Sequence, residues 1–277
     1  MINAFGRHIL GDTIRWGLVS IAAVLFLAPL IWLASAAFKP ENEIFTIPVR
    51  LWSNHFSLQS FSRSLTKWNI GQSFINSGII TIGSVLFQLL VSSLCAFALA
   101  TMRFKGRQAI FYLILATMML PGFTMIVPSY RVAAVLRLVN SFGGLIIPAG
   151  ASAFGVFMLR QYFIKIPVDF FEAAVLDGAG QLKIWWSVTL PLARPALAAL
   201  SIFSFLGVWK DFLWPVLILQ KEELFTLSIK MWFMNSYIGK DYGAIIATSF
   251  IAAIVPVILF LLFQRQFIEG MTGGLKG

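Results

Sequence analysis

Apolar stretches without Asp, Glu, Lys or Arg recur along the chain at 16–38, 68–102, 108–130, 138–159 and 242–264. A sixth, 195–219, is broken only by the adjacent pair Lys210 and Asp211. A helix needs about 20 apolar residues to cross the hydrocarbon of a bilayer, so each stretch is long enough to span. Backbone N–H and C=O groups have no water to bond there, which leaves helices or a closed barrel. Apolar and polar residues do not alternate with a period of two, and the barrel is excluded. The pattern predicts an all-α polytopic membrane protein with six transmembrane helices. The 68–102 stretch has room for an extra turn or an interfacial entry. Ala34-Ser35-Ala36 imitates a signal-cleavage site, but the apolar core from Trp16 to Leu33 is longer than a signal segment and five more spans follow. The chain therefore divides into an N-terminal segment 1–15, a six-span domain 16–264 and a C-terminal tail 265–277.

Composition agrees. Of 277 residues, 59% are apolar and 12% charged, with a mean hydropathy of +0.86. A soluble domain carries about 25% charged residues, so too little polar surface exists here to cover a globule in water. The net charge of +10 comes from Lys and Arg flanking the spans, where they meet anionic lipid headgroups. No basic run with interleaved aromatics stands clear of an apolar segment, and nucleic acid is not an expected partner. Cys95 is the single cysteine, and His8 and His55 lie far apart without acidic neighbours. Disulfides, a cysteine metal site, zinc chemistry and histidine acid–base catalysis lack their parts. Lys and Arg divide almost evenly between the two sides, although Arg103, Lys105 and Arg107 crowd one short loop, so charge alone does not set the orientation.

The hydrophilic segment 166–191 carries more information. Pro167 and Asp169 read as a helix start, with Glu172 three residues on as in a capping box. The helix runs from Phe170 to about Asp177, and Gly178 supplies a left-handed stop. A second helix, Gln181 to Thr189, is ended by Leu190-Pro191, and Pro195 opens the next span. Two readings are open. The hairpin could rest Phe170, Phe171, Trp185 and Trp186 in the headgroup layer. Alternatively, it is a protein-docking knob: anionic lipid would repel Asp169, Glu172 and Asp177, while small Ala173 and Ala174 let another backbone approach.

Glu172-Ala173-Ala174, then Asp177-Gly178-Ala179, then Val188-Thr189-Leu190-Pro191 resembles the EAA loop of bacterial ABC-importer permeases. Further stretches resemble the smaller permease subunit of maltose-type transporters: Phe74-Ile75-Asn76-Ser77, Pro121 and Pro128, Gly155 to Gln161, and the tail from Gln264-Arg265 through Gly270 to Gly277. The resemblance covers nearly the whole chain. It implies that the loop is cytoplasmic, which makes this a multi-pass protein of the bacterial cytoplasmic (inner) membrane with both termini on the cytoplasmic side. It also implies a coupling helix between spans four and five that seats on an ATP-binding subunit, with Asp169, Glu172, Ala173, Ala174, Asp177, Gly178, Leu190 and Pro191 at the contact. Gly273, Gly274 and Lys276 of the tail would reach into the ATPase interface. The implied assembly has a second, homologous permease, two ATP-binding subunits and an extracytoplasmic solute-binding protein. ATP and Mg would reside on the ATPase subunits, because this chain lacks the G-x-x-x-x-G-K-[ST] phosphate loop. The chain itself is therefore not expected to be an enzyme. One departure is Trp209-Lys210-Asp211, where the family usually reads Trp-Asn-Asp or Trp-Asn-Glu.

A sugar in transit needs polar or aromatic groups facing a cavity. Asn76, Gln88, Tyr130, Trp209, Lys210 and Asp211 are the candidates, since ionisable residues inside spans cost about 2.5–3.5 kcal/mol on insertion scales. Two have structural alternatives: Lys210 can snorkel or lie against Trp214 four residues on, and Asn76 can make an interhelical hydrogen bond. Lys210 admits an anionic or sulfonated sugar, or a glycerol-phosphate-type solute, beside neutral sugars. Pro121, Pro128, Pro148, Pro215 and Pro256 are expected to interrupt spans three to six. The segment 39–67, with Trp52, Phe56 and Phe61, is expected along the interface, facing the solute-binding protein. A secondary transporter is the competing reading, but it gives the acidic, glycine-broken loop no role. A membrane-embedded enzyme lacks a nucleophile–base pair or an HExxH motif.

Overall fold

The computed structural model describes residues 2–48, 50–53, 55–236 and 240–272, with side chains from 15 to 264. All regular structure among them is helical. In chain order the helices are α1 (Ile2–Ala37), α2 (Glu41–Ile44), α3 (Gln59–Thr66), α4 (Ile70–Thr101), α5 (Arg107–Thr117), a 3-10 turn Gly122–Met125, and α6 (Ile126–Val135). They continue with α7 (Gly143–Ala149), α8 (Ala153–Phe163), α9 (Val168–Leu176), α10 (Gln181–Ile184), a π turn Trp185–Thr189, and α11 (Leu190–Leu192). The last are α12 (Arg194–Trp209), α13 (Leu213–Ile218), a 3-10 turn Glu222–Leu224, α14 (Leu227–Ser236) and α15 (Tyr242–Thr272).

Four helical segments are long and apolar enough to cross a membrane: Arg15–Ala37, Ile70–Thr101, Gly143–Phe163 and Tyr242–Gln264. The count reaches six if two bent pairs, Arg107–Thr117 with Gly122–Val135 and Gln181–Leu192 with Arg194–Trp209, are each taken as one span. The stretch at 108–130 is not one rod: α5 and the segment Gly122–Val135 meet at 99°, with the break at Pro121, the residue that caps the 3-10 turn. The stretch at 195–219 is likewise two helices, parted at Lys210–Phe212. Of the five prolines expected to interrupt spans, Pro128 and Pro215 sit in the first turns of α6 and α13. A missing N–H costs little there. Pro148 lies at the end of α7, and only Pro256 is enclosed in an unbroken helix, α15.

The chain forms two compact units. In the unit of Met1–Ile70 and Met231–Ile254, a small core gathers Ala36, Ala37, Ile44 and Ile246. Phe61 and Phe250 pack on it, and Phe38 stacks on Phe56 at 5.1 Å. Trp52 and Phe56 remain exposed. Arg63 ties the unit together, pairing with Asp241 at 3.0 Å and Glu41 at 2.8 Å. The apolar residues of α1 from Trp16 to Ile31 are exposed, as a lipid-facing helix requires.

The second unit holds Gly71–Lys230 and Val255–Gly277. Here α4 is inverted relative to a soluble helix. Its Ser73, Asn76, Ser77, Thr81, Ser84, Gln88 and Ser92 are buried, while Ile75, Ile79, Ile82, Leu86 and Leu90 are exposed. Glycines let α8 and the turn before it pack closely on α4. A Cβ on Gly150 would stand 2.6 Å from the Phe87 ring, and one on Gly155 2.6 Å from the Ser92 hydroxyl. Small residues of this kind drive helix association where lipid removes the hydrophobic advantage.

Candidate functional site

The segment 166–191 folds as an elbow. Pro167 caps α9, which starts at Val168, and no side chain makes the capping bond. The expected capping box is therefore absent: the helix begins earlier than Phe170, and Asp169 lies inside the first turn, where its charge complements the helix dipole. The stop is the one expected. Gly178 has φ of +74°, the N–H of Ala179 donates to the Ala174 carbonyl at 2.9 Å, and that of Gly178 donates to Val175 at 2.9 Å. Together these bonds form a Schellman motif that satisfies the last carbonyls. The second arm runs past its expected end at Leu190-Pro191. Its π turn carries the Leu190 N–H to the Trp185 carbonyl, five residues back, and helix continues to Leu192. Pro191 cannot donate and crowds the preceding turn; the widened turn accommodates it. An 81° bend then leads into α12.

One side of the elbow is anchored. Phe171, Ala174, Ala179, Val188 and Leu190 pack on a core of Phe97, Leu159, Phe163, Ile184, Trp185 and Leu200. The other side is open: Asp169, Glu172, Ala173, Asp177, Gly178 and Pro191 are all exposed. The aromatic residues are thus divided, with Phe171 and Trp185 turned inward and Phe170 and Trp186 outward. Sequence reasoning missed an apolar rim around the carboxylates, made of Val168, Val175, Leu176 and Leu182; Leu176 is 88% exposed. Its only signal was a set of aliphatic residues in a loop too acidic for lipid. Glu172 borders a cleft of about 430 Å³ whose wall includes Phe97 and Thr101 from the end of α4.

A second feature is a cavity of about 470 Å³ lined by Ser84 and Gln88 of α4, Ser129 of α6, Ser152 before α8, and Asp211 and Trp214. Gln88 donates to the Ser152 hydroxyl at 3.0 Å, and that oxygen also accepts the Gly155 N–H that opens α8. Asp211 occupies the break between α12 and α13, with the backbone N–H groups of Phe212, Leu213 and Trp214 near its carboxylate. The break also removes one of the two structural alternatives for Lys210, a contact with Trp214. The two no longer share a helical face, and the indole N–H of Trp214 donates to the Gly144 carbonyl at 3.0 Å. Lys210 is exposed and is not part of this cavity lining.

The cavity thus brings Gln88 and Asp211 together and leaves out Asn76, Tyr130, Trp209 and Lys210. Asn76 is buried and fully engaged: it donates to the carbonyls of Glu223 at 2.8 Å and Phe225 at 3.1 Å and accepts from Gln72 at 3.0 Å. Trp209 lies between Phe205, stacked at 5.7 Å, and Phe74, edge-on at 5.7 Å. Tyr130 packs against the core of Ile80, Leu145 and Ile218. Gly273, Gly274 and Lys276 lie outside the described residues. Sequence reasoning also missed Ser84, Ser129 and Ser152, because serine is too common in membrane helices to single out.

Residues 88–268 match the family described as the inner membrane component of binding-protein-dependent transport systems. The chain belongs to that family, the permease components of ABC importers; ATP hydrolysis is the work of separate ATPase subunits. It is 34% identical over 94% of its length, and 87% of the relative's, to the diacetylchitobiose uptake permease NgcG of Streptomyces coelicolor. It is 33% identical to the arabinooligosaccharide permease AraQ of Bacillus subtilis, over 92% of each chain. The sn-glycerol-3-phosphate permease UgpE of Yersinia pestis is 32% identical over 92% of this chain and 94% of its own. The fold matches a chain of a bacterial ABC transporter that imports alginate, with a TM-score of 0.84 and 24% identity over 93% of this chain and 96% of that one. The protein is thus a multi-pass protein of the bacterial inner membrane.

Proposed function

We propose that this chain is one of two permease subunits through which an ATP-driven importer passes a sugar or sugar-derived solute. Its six-span domain (16–264) would have both termini in the cytoplasm, with α5 and Gly122–Val135 together as span three and α12 with α13 as span five. A second, homologous permease, two ATPase subunits that hold ATP and Mg, and an extracytoplasmic solute-binding protein complete the assembly, and the segment 39–67 faces the binding protein. The sugar reading is supported by the named cargoes of the relatives, two of which are oligosaccharides.

The observation that carries the mechanism is the elbow at 166–191: rigidly seated on the core by one face, acidic with an apolar rim on the other. A lipid-resting helix presents basic residues to headgroups; this surface suits a protein groove with a basic residue opposite Glu172. ATP binding closes the ATPase pair, α9 moves with it, and the spans shift between inward-open and outward-open states. Coupling requires that nucleotide and solute each favour one of those states.

Glu172→Lys tests the proposal in the reconstituted complex. Solute-stimulated ATP hydrolysis is expected to vanish while membrane insertion is retained. Normal stimulation in that variant would overturn the docking role, and full solute uptake by the lone chain would overturn the need for an ATPase.

A further inference from the structure

The cavity bounded by α4, α6 and the α12–α13 break has a chemical character that Lys210, as read in the sequence, conceals. Among the described residues, Asp211 is the one charged residue in its lining, and Lys210 is not among the residues that form it. The remaining polar side chains are neutral: three serine hydroxyls, the Gln88 amide and the Trp214 indole, whose N–H is already bonded to Gly144. Ser84 belongs to the wall but is 1% exposed, and its covered hydroxyl makes no hydrogen bond.

We infer that this cavity is a subsite for an uncharged, hydroxyl-rich ring, with Asp211 as acceptor for the solute's hydroxyls, and that it selects against anionic solutes. The inference rests on the proposed passage role and narrows its substrate class. The volume of about 470 Å³ lies within the roughly 300–1,000 Å³ of small-molecule sites. Apolar walls from Ile80, Leu145 and Pro215 lower the local dielectric, so the carboxylate acts on a second charge more strongly than it would in water. A phosphate or uronate would meet that field with no cation in the lining to offset it.

Charged thiol reagents test the sign of the field without a known substrate. In the assembled complex, Ser129→Cys, at an exposed position of the lining, on a Cys95→Ala background is reacted with trimethylammonium, sulfonate and neutral methyl methanethiosulfonates, each rate being divided by that of a free thiol. We expect the cationic reagent to outpace the anionic one by about tenfold, equivalent to about 1.4 kcal/mol. With Asp211→Asn added, the ratio should fall to near unity while the neutral rate is unchanged. Equal rates, an anionic preference, or a ratio indifferent to Asp211→Asn would overturn the selectivity while leaving the passage role standing. No reaction with any of the three reagents would overturn both.

Discussion

Gly178 offers the sharpest probe of the elbow because its two possible costs separate. A Cβ built there meets nothing within 4 Å, so substitution creates no clash, and the whole penalty comes from the φ of +74°. For an L residue the left-handed region costs about 1–2 kcal/mol, whereas Asn tolerates it better through its short polar side chain. Gly178→Ala therefore opposes the Schellman bonds from Ala179 to Ala174 and from Gly178 to Val175. That penalty lowers the ratio of correctly bent to unbent elbow by a factor of about 5–30. Solute-stimulated ATPase activity of the reconstituted complex is the readout, with the thermal midpoint of the permease as control. Gly178→Ala should lose most of the stimulation, Gly178→Asn should retain more, and the midpoint should move little, since Gly178 is exposed. If both variants stimulate like the parent, or Asn is the worse of the two, the backbone argument fails.

Asn76→Ala removes the donor to the Glu223 and Phe225 carbonyls. It should cost roughly 1–3 kcal/mol per group left unpaired, read as faster proteolysis within 220–226 at unchanged expression. Gly144→Ala drives a Cβ to 2.4 Å from the Leu138 carbonyl oxygen. We expect the roughly 1–3 kcal/mol of overpacking as a lowered thermal midpoint, while Gly78→Ala, in open space within α4, leaves it unchanged or raises it by helix propensity. Arg63→Ala strands Asp241, whose side chain is 8% exposed. The loss should lie at the low end of roughly 3–5 kcal/mol for a broken buried pair, since Arg63 is 25% exposed. Adding Asp241→Asn should recover part of it in a thermal-shift double-mutant cycle.

Much of the fold was legible because membrane helices obey a one-dimensional rule. The end of α4 at Thr101, the start of α15 at Tyr242 and the limit of α1 at Ala37 each fall within a residue or so of where charge-free sequence starts or stops. The left-handed stop at Gly178 was legible for a local reason, since few other residues suit that backbone. Illegible were the features set by contacts distant in sequence. The interruption at Pro121 was expected, but neither its angle of 99° nor the break at Lys210–Phe212 could be read, because proline or a charged pair marks a possible break without saying how far the helix yields. Pro256 shows the opposite outcome, enclosed in an unbroken α15.

The sequence by itself determined an all-helical membrane chain, its family through the spacing of Glu172, Gly178 and Pro191, and the acidity of the loop between two spans. Those properties depend on composition and short-range backbone preference, which neighbouring residues suffice to impose. Only the tertiary structure decided which side of the elbow is held and which is open, and that Gln88 and Asp211 share a cavity that Lys210 does not line. Facing is a matter of helix rotation and breakage, and these are set by close packing against segments dozens of residues away, as where Gly150 and Gly155 admit Phe87 and Ser92.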